Sequence, residues 1–259
     1  MAPPRTYRCE AVTLKKTPLG EADLMVTLYT REWGKLRVMA KGARRSTSKL
    51  VGHLEPLTRV KLSLAQGRSM DLITQAQMMG SFDRLKNDLA AITKGLYVAE
   101  LLDGFGAEAI PNQPLYHLAI ETMESIGQNP ESEWPLRFFE LQLLRVSGLL
   151  PELYQCVECR QPLSAGQHRF SPGLGGTLCL ACHPAGENVR PLSLRALKVL
   201  RLLHRGPLPE VIPLQVSGDL EQELKSLLTT TVRYWLDREI QSNSFLEQLY
   251  QESKSGVYT

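Results

Sequence analysis

The sequence predicts an α+β chain: a small five-stranded barrel at the N-terminus, then a helical domain with an inserted cysteine-bearing loop. Three observations predict it. Apolar residues alternate with a period of two before Gly80 and with a helical period after it. Turn-forming residues cut the first region into short runs. A segment rich in Pro, Gly and Cys, at about 151–191, interrupts the helical region. The 259 residues, 43% of them hydrophobic, are enough for two domains at roughly 100–200 residues each, and the expected division is 1–80 and 81–259.

Each element has its own signal. Tyr7–Lys15 is the first expected strand, with Cys9 and Ala11 in alternation. Leu24–Thr30 alternates Leu24, Val26 and Leu28 against Met25, Thr27 and Tyr29, so both faces are expected to be partly buried. Leu36–Ala40, Arg59–Leu64 and Ser69–Gln77 supply the other three. Pro18-Leu19-Gly20, the segment ending in Gly34, and Gln66-Gly67-Arg68 provide the turns. Five short strands fit an oligonucleotide-binding (OB) fold, and an SH3-like barrel would show a similar pattern. After Gly80, Ser81 or Asp83 is expected to cap one helix carrying Leu85, Leu89, Ile92, Leu96 and Leu102. Asn112 with Pro114 starts a second, Pro135 a third that Gly148 stops, Ser193 caps Leu194–Leu203, and Ser217 begins the last. Residues 151–191 are expected to hold little regular structure.

The most specific motif is Cys156-x2-Cys159, then 19 residues, then Cys179-x2-Cys182. Each pair lets two thiolates from one tight turn reach the same ion, and Pro172, Gly173, Gly175 and Gly176 allow the chain between them to fold back. Four thiolates close a tetrahedral zinc site with no open position, which means structure, not catalysis. His168 and His183 are the alternative ligands, made unnecessary by a complete cysteine set. Cys9 reads as a small core residue. An odd cysteine count without a signal sequence argues against a disulfide framework.

The net charge of +3 conceals an asymmetry: residues 1–80 hold 14 Lys and Arg against 6 Asp and Glu, the remainder 16 against 21. A basic first third points to a polyanion bound by the barrel. Lys35, Arg37, Lys41, Arg44, Arg45 and Lys49 fall within 15 residues that contain no carboxylate. Cations, backbone N–H groups and the hydroxyls of Ser46, Thr47 and Ser48 suit phosphate oxygens; a solvated loop would show the same charge run. Tyr29 and Trp33 are the nearby candidates for base stacking, or for core. No catalytic motif is present: Gly42–Lys49 lacks the second Gly of a phosphate loop, and neither H-E-x-x-H nor G-x-S-x-G occurs. Apolar runs stay below the ~18 residues of a membrane span. The opening MAPPRTYRCE has no apolar signal core, so the expected location is the cytoplasm.

Several stretches resemble the RecO family of DNA recombination and repair mediators. They are Gly20-Glu-Ala-Asp23-Leu-Met-Val-Thr-Leu-Tyr29-Thr-Arg-Glu-Trp-Gly34-Lys35, Ala40-Lys-Gly-Ala-Arg-Arg45 and Leu54-Glu-Pro56-Leu. Gly95-Leu-Tyr97-Val-Ala-Glu100-Leu-Leu, Leu136-Arg-Phe-Phe-Glu140-Leu-Gln-Leu-Leu144, the cysteine quartet and Arg238-Glu-Ile-Gln-Ser242-Asn-Ser-Phe-Leu246 continue the likeness over nearly the whole chain. The resemblance implies an N-terminal OB-fold, a helical domain and a zinc site. It implies a non-enzymatic protein that binds single- and double-stranded DNA and anneals strands. With RecR, such a protein helps load RecA onto DNA coated by single-strand-binding protein (SSB). It also implies a receptor for the acidic, Phe-terminated SSB tail, for which Arg137, Phe139 and Leu143 are the candidates; the alternative for the same residues is a core-facing helix. An RNA-binding barrel, a hydrolase with structural zinc, and a protein–protein adaptor are the rival readings.

Overall fold

A computed structural model describes residues 5–48, 50–182, 189–236 and 242. Five strands form a closed barrel in the order β1-β2-β3-β5-β4: β1 (Thr6–Leu19), β2 (Asp23–Thr30), β3 (Gly34–Ala40), β4 (Arg59–Ala65) and β5 (Asp71–Gly80). The long β1 serves two ladders. Thr6–Val12 pairs with β4, and Ala11–Leu19 pairs with β2 across a register shift between Thr13 and Lys15. Coiling one strand around the barrel in this way closes it without a free edge. The expected break at Pro18-Leu19-Gly20 moves slightly, because β1 continues through Pro18 and Leu19 and the turn starts at Gly20. β3 and β5 close the circle in parallel, through Val38↔Asp71 and Met39↔Leu72. This closure is the OB-fold topology, not the SH3-like alternative.

The alternation fills the barrel. Cys9 and Ala11, Leu24, Val26 and Leu28, Val38 and Ala40, then Val60, Leu62 and Leu64 all point inward and are buried together. The other face of β2 is covered too: Thr27, Tyr29 and Thr30 are buried. Helices explain this. A short α1 (Asp83–Lys86) is followed by α2 (Leu89–Phe105) and α3 (Gln113–Gln128), and α2 packs on β1 and β2. At its C-terminal end Gly106 sits so close to the Tyr29 ring that a Cβ would come within 2.6 Å of it.

The single helix expected after Gly80 is therefore two. Phe82 adopts φ 47°, and the chain leaves α1 before Asp88 accepts the Ala91 N–H (2.7 Å) and caps α2. Asn112 caps α3 as its sequence position implies, accepting from Leu115 N (3.0 Å).

Contacts divide the chain into two compact units, one over Met1–Glu131 and one over Ser132–Glu239. The first holds the barrel and α1–α3. The second is built from α4 (Trp134–Val146), α5 (Leu194–Arg205), α6 (Leu208–Val211) and α7 (Gly218–Leu236). Its core joins Leu136, Phe139, Leu143 and Leu144 to Leu197, Leu200, Leu203, Leu224, Leu228 and Val232. Between α4 and α5 the chain carries more order than expected. A three-stranded sheet, β7-β6-β8, is formed by β6 (His168–Ser171), β7 (Gly176–Leu178) and β8 (Arg190–Leu192). Such short strands, rich in Gly and Pro, leave no alternation to read.

Candidate metal centre and nucleic-acid interface

The four cysteines Cys156, Cys159, Cys179 and Cys182 converge, with all Sγ atoms within 4.8 Å of one another. The first pair sits on a tight turn closed by the Gln155↔Pro162 bridge, in which Arg160 takes φ 61° and its N–H bonds the Cys156 carbonyl at 2.9 Å. The second pair follows β7. Gly176 brings the two together: its φ is 150°, and a Cβ there would fall 2.5 Å from Glu152 N and 2.6 Å from Glu152 O. Only glycine lets β7 lie against the strand leading to Cys156, where Thr177 N donates to Glu152 O (2.9 Å) and Val157 N to Thr177 O (2.9 Å).

This donor set fits a metal. Tetrahedral coordination with Zn–S of about 2.3 Å separates sulfurs by about 3.8 Å, and Cys159 Sγ lies 3.9 Å from Cys179 Sγ. Burial pushes the Cys156 thiol up, but backbone N–H groups at Cys179, Cys159 and Glu158 outweigh it and hold the thiol down at about 6, toward the thiolate a metal needs. Cys182 goes the other way, to about 12, because its thiol hydrogen-bonds Cys179 and Cys159. Arg169 on β6 holds the second turn, its Nη2 donating to the carbonyls of Cys182 (2.5 Å), Leu180 (2.8 Å) and Cys179 (3.5 Å). His168 is buried in β6 outside the quartet, and His183 lies outside the described residues. Cys9 is core, as its strand position implies.

The six cations of the basic segment do not form one group. Lys35 is buried: its Nζ donates to the Asp103 carbonyl (2.6 Å) and pairs with the Asp103 carboxylate (3.5 Å). Arg37 is exposed and pairs with Glu108 at 3.3 Å. Lys41, Arg44 and Arg45 are exposed together on the turn after β3. That turn is docked on the β1–β2 turn, for Gly42 N donates to Asp23 Oδ1 (2.7 Å), Arg44 N to Ala22 O (2.9 Å) and Arg44 Nη1 to Gly20 O (3.0 Å). Lys49 lies outside the described residues. Tyr29 is core, whereas Trp33 is 45% exposed and meets Tyr7 edge-on at 5.3 Å.

Sequence reasoning missed a cleft of about 570 Å³ on the barrel, lined by Arg8, His53, Lys61, Ser63, Gln75 and Gln77 among others. The signal was present. Arg8 flanks the inward Cys9 and Lys61 the inward Leu62, so the alternation that fills the barrel also turns these cations outward.

In the second unit, Arg137, Phe139 and Leu143 are all buried. Arg137 pairs with Glu140 (3.1 Å) and donates to Lys225 O (3.2 Å) and Thr229 Oγ1 (3.3 Å). Their spacing is that of a core-facing helix, and they offer no exposed wall to a peptide. Of the C-terminal stretch Arg238–Leu246, only Ser242 is among the described residues.

Residues 1–82 match the family described as "Recombination protein O N terminal", and residues 86–244 match "Recombination protein O C terminal". The chain is 37% identical over 247 residues to "DNA repair protein RecO" of Roseiflexus sp. (strain RS-1), covering 95% of this chain and 87% of that protein. It is 34% identical over 249 residues to the protein of that name from Desulforamulus reducens, covering 96% of this chain and 97% of that one. The Dehalococcoides mccartyi (strain 195) protein of the same name is 32% identical over 249 residues, with 96% and 98% covered. With both family segments matched in order on a barrel and a helical unit that carry the expected cysteine quartet, the chain belongs to the recombination protein O family, RecO.

Proposed function

We propose that this protein is a DNA repair and recombination mediator that binds single- and double-stranded DNA, anneals complementary strands and, with RecR, helps load RecA onto SSB-coated DNA. Its relatives bear the name DNA repair protein RecO. The observation that carries the reading to DNA is the exposed triplet Lys41, Arg44 and Arg45 on a turn hydrogen-bonded to the neighbouring hairpin of the barrel. Its cations present no base-reading helix, so contact is to phosphate and tolerates any sequence. Arg37 and Lys49 extend this surface in the proposal, while Lys35 contributes by holding the end of α2. Function here means binding and positioning strands, with no bond made or broken. Cys156, Cys159, Cys179 and Cys182 would hold one zinc ion, which supplies a structural cross-link. The proposed location is the cytoplasm; among the described residues no helix is long and apolar enough to cross a membrane.

The test is fluorescence anisotropy with labelled single-stranded DNA at several salt concentrations. Lys41→Glu with Arg44→Glu and Arg45→Glu should weaken binding at least tenfold and reduce the salt slope by about 2, at roughly 0.7 per single-strand phosphate contact. Unchanged affinity in the folded triple variant removes this surface, and tighter binding of RNA than of DNA favours the RNA reading. A pull-down with RecR and SSB tests the two protein partners.

A further inference from the structure

The second unit carries a cationic face of its own. Helix α5 contains Arg195, Lys198, Arg201, His204 and Arg205 and no carboxylate. Ala196, Leu197, Leu200 and Leu203 are buried, so the opposite side of the helix faces outward. Arg195, Lys198 and Arg205 are exposed and Arg201 half-exposed. Spacings of three, three and four keep these four within one face, along about 15 Å of helix at 1.5 Å per residue.

Tyr154 organises the C-terminal end of that row. The Arg201 guanidinium carbon lies 4.9 Å from the Tyr154 ring centroid, and that of Arg205 4.7 Å. Cation–π contact at these distances fixes both guanidinium groups without neutralising them. Arg201 is further oriented by its Nε, which donates to Leu153 O at 2.8 Å. Tyr154 Oη and His204 Nδ1 are 3.4 Å apart. Arg145, in the last turn of α4, adds a third arginine to the same field: burial lowers the His204 pKa, and Arg145 and Arg205 lower it further. Among the described residues none of Arg145, Arg195, Lys198, Arg201 and Arg205 has a carboxylate within ion-pair distance. Two neighbouring acids are engaged elsewhere, Glu152 with the N–H groups of Tyr154 (2.7 Å) and Gln155 (3.2 Å), Glu223 with Ser193 N and Oγ (2.7 Å each), and the Glu210 carboxylate lies beside Gly206, just past the end of the row.

We propose that the exposed face of α5, with Tyr154 and Arg145 at its C-terminal end, is a second phosphate-binding surface that takes the backbone of a nucleic-acid strand independently of the barrel. Guanidinium groups held in a fixed plane suit the paired oxygens of a phosphodiester. The charges repeat along the helix axis instead of gathering round an apolar hollow, which favours a regularly charged polymer over an anchored peptide. Tyr154 serves the row by holding two of its guanidinium groups in place, since Arg201 and Arg205 both lie over its ring. This rests on the DNA-binding reading above and extends it to a second strand, as annealing requires.

The experiment uses the full, metal-loaded chain and a fluorescent oligothymidine. Lys198→Glu with Arg205→Glu, both at exposed positions, should weaken binding about tenfold at about 50 mM salt and reduce the salt slope by about 1.4. Tyr154→Leu should weaken it less, by about threefold, because the charges stay and only the ring that holds Arg201 and Arg205 is lost. The barrel triple variant should retain oligothymidine binding that photocross-links to Tyr154. Unchanged affinity and slope in the folded α5 double variant, alongside a wild type that binds, overturns this proposal and leaves the barrel reading intact. A wild type that binds no oligothymidine at low salt overturns both. Tighter binding of polyglutamate than of oligothymidine, lost in the α5 variant, assigns the face to an acidic protein and overturns the nucleic-acid proposal.

Discussion

Lys35 and Lys41 look alike in the sequence, as two cations in a carboxylate-free run, yet one is buried against Asp103 and the other is exposed. The difference lies 68 residues away, where α2 ends, and no local pattern contains it. The cysteines are the opposite case. Their spacing alone specified the quartet, because a metal site is a local chemical requirement written into two turns. The fifth cysteine differs in reactivity. Burial, with a smaller effect from the Glu32 charge, raises the Cys9 thiol to about 12, so thiolate is scarce at neutral pH. Native protein treated with iodoacetamide at pH 8 should therefore show little label. A chelator should expose four sites within 156–182 and leave Cys9 unlabelled, as read by peptide mass spectrometry. Rapid labelling of Cys9 in the folded, chelated protein would contradict its placement in the barrel core.

At the scale of elements, alternation was a reliable guide wherever one face met a continuous core, which is why all five barrel strands were legible. It failed where a strand is three residues long, as in β7 and β8. There the order comes from neighbours: β7 is held between β6 and the Glu152 segment. Gly176 is the position this depends on. Gly176→Ala meets Glu152 backbone atoms at a positive φ, and should cost on the order of 1–3 kcal/mol locally. The expected result is faster metal loss to a chromogenic chelator and earlier proteolysis near 152–182, with the barrel's far-ultraviolet signature kept. Wild-type metal retention would show that the two turns meet without this close approach. The one helix read after Gly80 proved to be two because Asp88 caps α2 directly and restarts the helix, a role that Ser81 and Asp83 lie too far upstream to fill.

For the whole molecule, the change of periodicity at Gly80 marks where strands give way to helices, and it also motivated the division into 1–80 and 81–259. Compactness groups α1–α3 with the barrel, for physical reasons visible at Tyr29 and Lys35, both of which α2 or the segment just after it completes. Fragments weigh the two divisions. A 1–131 fragment should unfold at a higher urea concentration than a 1–80 fragment, which leaves Tyr29 and Lys35 without those partners. Equal midpoints for the two would favour the boundary at 80. The excess of positive charge in the first third was legible from composition, whereas the row on α5 was masked by acids elsewhere in the same half.

The barrel's closure is uneven. Its four other ladders each register seven or more residue pairs and the β3–β5 seam only two, in the slanted parallel arrangement. A ring with one weak link opens at that link, and here it opens at little cost in hydrogen bonds. Among Val38, Met39, Asp71 and Leu72, the amide protons that point into the seam would then trade with solvent before those held by the longer β2–β3 and β4–β5 ladders, through excursions that leave the rest of the ring shut. The Lys41–Arg45 turn begins just past this seam but is tied to the β1–β2 turn through Gly42 and Arg44, so such openings part the ring on one side and leave the cations where they stand.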